Sequence, residues 1–291
     1  MIPATFEYEA ARDVAHAVQL LASGGGEAKV LAGGQSLIPL MKFRLAQPRV
    51  LVDVNRIAGL SYIRESDGEL RIGALTREHE LEESALLHQR YPIIIDTATV
   101  VADPLVRNLA TLGGNLAHAD PANDHPATLT ALRASVVARG PRGERVIAID
   151  DFLVDTFVTA LAADEILTEI RIPKAKERSG GAYLKLERKV GDFAIAGVAV
   201  HVSLDGRGAV SSAGIGLTNV GPKALRASSA EKALVGNVPD ERVIATAARA
   251  ASAQAQPTSD LRGPAEYKKE VVRVLTARAL RSALARAKGG N

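Results

Sequence analysis

The sequence predicts an α+β protein of two domains, sheet-rich in its first part and closed by helices. Three observations predict it. Short apolar runs bounded by turn formers recur as far as Ile172, without the regular strand–helix alternation of a doubly wound sheet. The stretch from Pro173 to Gly181 then gathers a proline, two glycines and the charged Lys174, Lys176, Glu177 and Arg178, the composition of an exposed connection between two cores. Beyond it, two strand-like runs are followed by three helical ones. A length of 291 residues with 47% hydrophobic side chains fits two cores better than one or three. The expected division is 1–177 and 178–291.

The elements follow in chain order. Val14, Ala17, Val18 and Leu21 fall on one face of a helix that Gly24-Gly25-Gly26 ends. Lys29 to Ala32 is β-like and runs into Gly33-Gly34. Further strands are expected at Val50 to Val54, Leu70 to Ala74, Ser135 to Ala138, Val146 to Ile149 and Ile166 to Ile172, with helical patches between some of them. In the second domain, strands are expected at Gly197 to Leu204 and Ala209 to Leu217. Helices are expected near Ser229 to Val235, Asp240 to Gln254 and Pro264 to Ala287. On the last of these, Arg278, Arg281 and Arg286 read as a solvated face.

Composition excludes several classes. Without cysteine the chain holds no disulfide, thiolate zinc site or iron–sulfur cluster of its own. Its 36 basic residues are interleaved with 33 acidic ones, so the net charge of +3 describes a mixed surface and no nucleic-acid partner is expected. Aromatic content of 3% with no tryptophan also argues against a base-stacking platform. No apolar stretch is long enough to span a bilayer, and Met1 to Phe6 lacks the pattern of a secretion signal. A cytoplasmic protein is expected.

Two segments carry the candidate chemistry. In Leu31-Ala32-Gly33-Gly34-Gln35-Ser36-Leu37 a strand runs into paired glycines, where successive amides could line one concavity with no Cβ to block a phosphate oxygen. Taken alone, paired glycines after a strand are more often a tight turn. Thr111-Leu112-Gly113-Gly114-Asn115 has the same character, and the polar run from His118 to Pro126 follows it. Donors from two loops could enclose a dinucleotide's diphosphate, with Asp124 on ribose hydroxyls. Asp124 fits equally as the cap of a helix from Pro126 to Arg133. The chain has neither G-x-G-x-x-G nor G-x-x-x-x-G-K-[ST], so the commonest nucleotide folds are not available. His118, Asp120, Asp124 and His125 could be drawn as a metal site, but the intervening prolines oppose it and no metal is expected. No G-x-S-x-G nucleophile is present either.

In these motifs the chain resembles the FAD-binding medium subunits of molybdenum hydroxylases, the xanthine dehydrogenase and carbon monoxide dehydrogenase family, the carbon monoxide dehydrogenase branch most of all. The similarity spans nearly the whole chain, through the two glycine segments, Ala102-Asp103-Pro104, Asp120-Pro121-Ala122-Asn123-Asp124, Ile215 to Val220 and Arg262-Gly263-Pro264-Ala265-Glu266-Tyr267. The resemblance implies a flavin domain of the p-cresol methylhydroxylase type, two α+β subdomains breaking near residues 55–60, and then a smaller domain of antiparallel sheet plus helices. It implies that Leu31 to Leu37 and Thr111, Gly113, Gly114 and Asn115 surround the diphosphate, with Asn123 and Asp124 along the sugar chain. Val101 and Ala102 would lie beside the dinucleotide, and Leu167, Lys185, Asp192 and Phe193 near the flavin. Phe193 stands where the family often has tyrosine, and Gln35 where close relatives have histidine.

The implied activity is an electron relay with no catalytic side chain. A large subunit with a molybdopterin cofactor would oxidise substrate, a small subunit with [2Fe–2S] clusters would pass electrons, and FAD on this chain would hand them to an external acceptor, in a dimer of heterotrimers. The competing readings are a self-sufficient flavin oxidoreductase and a flavin-free scaffold.

Overall fold

The computed structural model describes residues 2–289. Strands β1 (Glu7–Ala10), β2 (Ala28–Leu31) and β3 (Val50–Asp53) form a small parallel sheet in the order β1-β3-β2. Helix α1 (Val14–Ser23) lays Ala17, Val18 and Leu21 against it, as the apolar period requires, and Asp13 caps the helix by accepting the His16 amide at 2.8 Å. After β2 the chain turns through Gly33-Gly34 into the short helix α2 (Leu37–Lys42).

Strands β4 (Ile63–Ser66) and β5 (Glu69–Gly73) open a second sheet. A helical run follows: α3 (Glu78–Glu83), α4 (Ala85–Arg90), α5 (Pro92–Ala98), α6 (Pro104–Arg107), α7 (Leu112–His118) and α8 (His125–Ala131). Then come β6 (Ser135–Gly140), β7 (Gly143–Ala148), α9 (Ile149–Phe152), β8 (Leu153–Asp155), β9 (Val158–Thr159) and β10 (Ile166–Pro173). The sheet runs β4-β5-β10-β6-β7, antiparallel throughout. Its central strand β10 is buried along most of its length, which is why it reads as a near-continuous apolar run.

The remaining chain forms an antiparallel sheet β11 (Ser179–Leu186), β12 (Ala196–Leu204), β13 (Val210–Thr218) and β14 (Leu225–Arg226), backed by α10 (Ser228–Leu234), α11 (Glu241–Gln254) and α12 (Ala265–Ala287). Alternation on β12 decides the packing. Val198, Val200 and Val202 face the three helices, while Ala199 and Tyr183 face the other way and join the core of the preceding sheet. The fold is therefore α+β, with a larger domain of two sheets and intervening helices followed by a smaller sheet-and-helix domain.

Two expectations need correction. Ser179 to Gly181 belongs to β11 rather than to an exposed connection, and both glycines are buried. A Cβ on Gly180 would come 2.3 Å from the Ala283 carbonyl, and one on Gly181 3.0 Å from Ile93 Cβ, so these glycines permit close packing rather than a turn. Arg286 is no solvated bystander. It grips Asp96 on α5 and donates to the Gly181 carbonyl at 2.6 Å, tying the last helix to the first domain.

Candidate functional site

The end of β2, the start of α7 and the β11–β12 connection converge on one open cavity of about 860 Å³, within the range of small-molecule and cofactor sites. Ala32, Gly33, Gly34, Gln35, Ser36 and Leu37 form one wall. Thr111, Gly114 and Asn115 form the adjacent one, with Val101 and Ala102 beside them. Asn123, Asp124, Lys185, Asp192 and Phe193 close the far end. Leu31, Gly113 and Leu167 lie behind this surface. Gly113 is buried with its amide donating to the Ala74 carbonyl, and Leu167 sits in the core on β10.

The two glycine segments differ in what their amides do. Gly113-Gly114-Asn115 is the first turn of α7, capped by the Thr111 hydroxyl, and its amides are used internally: Gly113 on Ala74, Gly114 on Thr111 Oγ1 and Asn115 on the Thr111 carbonyl. Along Gly33 to Leu37, by contrast, no amide has a hydrogen-bond partner among the described residues. Backbone donors left open in a row need an acceptor, and an anionic oxygen is the strongest one. Gly34, at φ +76°, takes the left-handed turn that aligns them.

Gly33 has a different use. A Cβ there would lie 2.2 Å from the Leu109 carbonyl and 2.9 Å from Ala110 Cα, so the missing side chain lets the two glycine segments touch. Sequence reasoning missed the clamp that holds them. Asn55 donates to the Ala32 carbonyl at 2.7 Å, and Arg77 donates to Asn55 Oδ1 at 2.7 Å and to the Leu109 carbonyl. Both lie far from the glycines in sequence, and neither carries a local signal.

At the far end, Asp124 stands at the N-cap position of α8 but does not cap it. Its carboxylate accepts from the Tyr183 hydroxyl and, at 3.1 Å, from Lys185 Nζ. Burial pushes the Asp124 carboxyl up, against the pull of Lys185, and pushes the Tyr183 hydroxyl well above its ordinary value. Lys185 also donates to the Val100 carbonyl at 2.7 Å and the Asp192 carbonyl at 2.9 Å, so one buried ammonium joins β11, α8, the segment after α5 and the β11–β12 connection. Arg107 holds the Val101 carbonyl at 3.1 Å, and between these anchors Ala102 is bent to φ +46°. Asp192 is held by Arg188 and Arg262, and both keep its carboxyl below the usual range.

The His and Asp side chains of the polar run part ways. His125 is fully buried and paired with Glu78 at 2.7 Å. Burial alone would pull its imidazole down, but Glu78 outweighs that and the net shift is upward. His118 packs beside the Phe157 ring, and Asp120 accepts the Ala122 amide at 2.9 Å.

The cavity fits a dinucleotide that carries a flavin. It offers open amides at one end, a buried charged network at the other, and between them the buried Asn115 Oδ1, which has no partner among the described residues. Comparison with known proteins decides the family. The profile of the FAD binding domain in molybdopterin dehydrogenase matches residues 4–175, and that of the CO dehydrogenase flavoprotein C-terminal domain matches 181–283. The chain belongs to the FAD-binding medium subunits of CO dehydrogenase-like molybdenum hydroxylases. It is 45% identical to the carbon monoxide dehydrogenase medium chain of Hydrogenophaga pseudoflava, over 98% of this chain and 99% of that one. It is 42% identical to a 6-hydroxypseudooxynicotine dehydrogenase complex subunit alpha from Paenarthrobacter nicotinovorans, over 99% and 97%. A solved structure of the Hydrogenophaga pseudoflava enzyme, lacking the Mo-pyranopterin moiety of its cofactor, superposes with a TM-score of 0.95 at 47% identity, over 98% and 99% of the two chains. As a medium subunit of this family, the chain is the flavoprotein part of an oxidoreductase with further subunits. Among the described residues no helix is long and apolar enough to cross a membrane.

Proposed function

We propose that this chain binds one FAD in the cavity and relays electrons from [2Fe–2S] clusters of a small partner subunit to an external acceptor. A large partner subunit would carry the molybdenum cofactor and the substrate site, in a dimer of heterotrimers in the cytoplasm. The observation that carries the reading is the run of open amides from Gly33 to Leu37 against the partnered amides of the second glycine segment. The first segment is therefore the main diphosphate holder, and the second supplies the wall and Asn115. Asp124 and Asn123 would meet the sugar chain, and Lys185, Asp192 and Phe193 the ring end. Bound FAD exchanges electrons singly or in pairs, which suits a position between clusters and a two-electron carrier.

The residues of this chain bind and orient. Lys185, its charge compensated by Asp124 and Glu187, fixes the ring end by holding the Val100 and Asp192 carbonyls. Phe193 offers an aromatic face without a hydroxyl, so no proton is donated from that position. No side chain acts as acid or base in this reading. We assign residues 1–177 to the flavin domain, broken near 55–60, and 178–291 to the second domain. Relatives named for carbon monoxide and for 6-hydroxypseudooxynicotine leave the substrate to the large subunit.

Anaerobic reduction tests the reading. In the assembled complex, substrate should bleach flavin absorbance on this chain, whereas the chain with FAD but without partners should stay oxidised. Bleaching by substrate in the isolated chain would identify a self-sufficient enzyme, and failure to retain FAD in either form would remove the relay.

A further inference from the structure

A second cavity of about 140 Å³ lies away from the flavin cavity, where the outer ends of β12 and β13 meet the end of α8 and the chain leaving β10. The sheet face turned to the first domain is apolar in its middle, with Tyr183 and Ala199, but at this end alternation presents His201, Ser203 and Ser212. None of these three side chains has a hydrogen-bond partner among the described residues. Ser203 is 2% exposed as a residue and lines the cavity.

Tyr91 also lines the cavity but spends its hydroxyl on Glu65 at 2.9 Å, and the remaining polar wall groups are cationic. Arg133 sits just past the end of α8 at φ +56°, a position usually given to glycine. Its Nη2 is held by Glu231 at 2.6 Å and by the Ala213 carbonyl at 3.2 Å, which leaves Nη1 buried without a partner. Lys176 lines the cavity and makes no ion pair among the described residues, while Lys174, which also lines it, pairs with Glu65 at 3.5 Å. No carboxylate lines the cavity. The space is that of about four or five waters, enough for one tetrahedral oxyanion and too small for a nucleotide.

We propose that this cavity is a binding site for a small inorganic oxyanion of the phosphate class, held by Arg133, Lys176, His201, Ser203 and Ser212 at the junction of the two domains. Donors without acceptors, converging on a cavity with no negative wall, are what such an ion requires. The site is independent of the flavin reading. Because it joins the chain leaving β10 to the sheet of the second domain, an ion bound there would link the two.

The test is phosphate binding to the assembled protein at constant ionic strength, by equilibrium dialysis with labelled inorganic phosphate up to about 10 mM, in wild type, Lys176→Ala and Ser212→Ala. One saturable site per chain is expected, weakened about tenfold or more in each variant, with flavin content unchanged. Glycerol phosphate should compete poorly, since its organic part does not fit. No saturable binding, or equal affinity in wild type and both variants, would overturn the proposal. Glycerol phosphate binding as tightly as inorganic phosphate would also overturn it, because the ion would then sit in a more open site. So would crystals grown with phosphate that show only water between Arg133 and Ser212.

Discussion

At the scale of single residues, Lys185 and Asp124 form the most consequential pair. Their side chains are 3% and 8% exposed, and Lys185 also lies 3.2 Å from Glu187, so it is removal of the Lys185 charge that strands the Asp124 carboxylate out of water. Breaking such a pair costs about 3–5 kcal/mol, much of it the desolvation of the survivor. Lys185→Met should therefore lower stability by about that amount, and adding Asp124→Asn should recover part of it. Urea unfolding of the two variants measures the difference, and a double variant no more stable than Lys185→Met would contradict the pairing. Gly33 makes a contrasting case. Gly33→Ala places a methyl group against fixed backbone at Leu109, and overpacking of that kind costs about 1–3 kcal/mol. It should also separate the two glycine segments and lower the flavin-to-protein ratio. Gly114→Ala meets mainly the Thr111 hydroxyl, at 2.7 Å, and should lose less flavin. His201 adds a pH dependence. Burial first, and then Lys176, depress its imidazole from the ordinary 6.5 to about 4. Folding therefore favours the neutral ring. That contribution is fully present above about pH 6.5 and is lost as pH falls towards 4, at most on the order of 3 kcal/mol because the ring borders a cavity. Arg133 and Lys174 also line that cavity, and no carboxylate does. His201→Gln should flatten the fall in urea midpoint between pH 7 and 4.5, and an unchanged slope would assign the acid sensitivity elsewhere.

At the scale of elements, the sequence was most readable where one physical signal dominated. Strands β5, β6, β10, β12 and β13 stand within a residue or two of the apolar runs that predict them, and α1, α10, α11 and α12 follow their periodicity and end signals. Strand β1 escaped because all four of its residues are exposed, so Glu7-Tyr8-Glu9-Ala10 shows no buried face. Strand β11 was missed because Gly180 and Gly181 resemble a connection until α12 and α5 are seen packed against them. The site divides in the same way. Open amides after β2 are legible as glycines, whereas Asn55 and Arg77 act through partners that only the fold brings near. Arg286 on α12 belongs to that second group. Its two-pronged grip on Asp96 is partly exposed, so solvent screening reduces its worth to about 1 kcal/mol. A double-mutant cycle of Arg286→Ala and Asp96→Ala should return a coupling of that size, and zero coupling would leave the docking of α12 to apolar contacts alone.

At the scale of the whole molecule, the second domain shapes the first domain's cavity from behind. Helix α8 lies on the sheet so closely that a Cβ on Gly216 would come 2.0 Å from the Ala127 carbonyl, and one on Gly214 1.9 Å from the Ala131 carbonyl. Asp124 and Asn123 stand at the other end of that helix, in the cavity wall. Backbone meets backbone at these glycines, so no flexible side chain is available to absorb an added methyl group. Gly216→Ala should push α8 away from β13 and shift Asp124 from Tyr183 and Lys185, although residue 216 itself is absent from the cavity wall. The expected result is a lower unfolding temperature together with faster FAD loss on dilution. An exposed control such as Gly206→Ala, whose Cβ would meet nothing, should change neither. If Gly216→Ala lowered stability while FAD dissociated at the wild-type rate, the cavity would be set by the first domain alone, and the contact between α8 and the sheet would serve stability only.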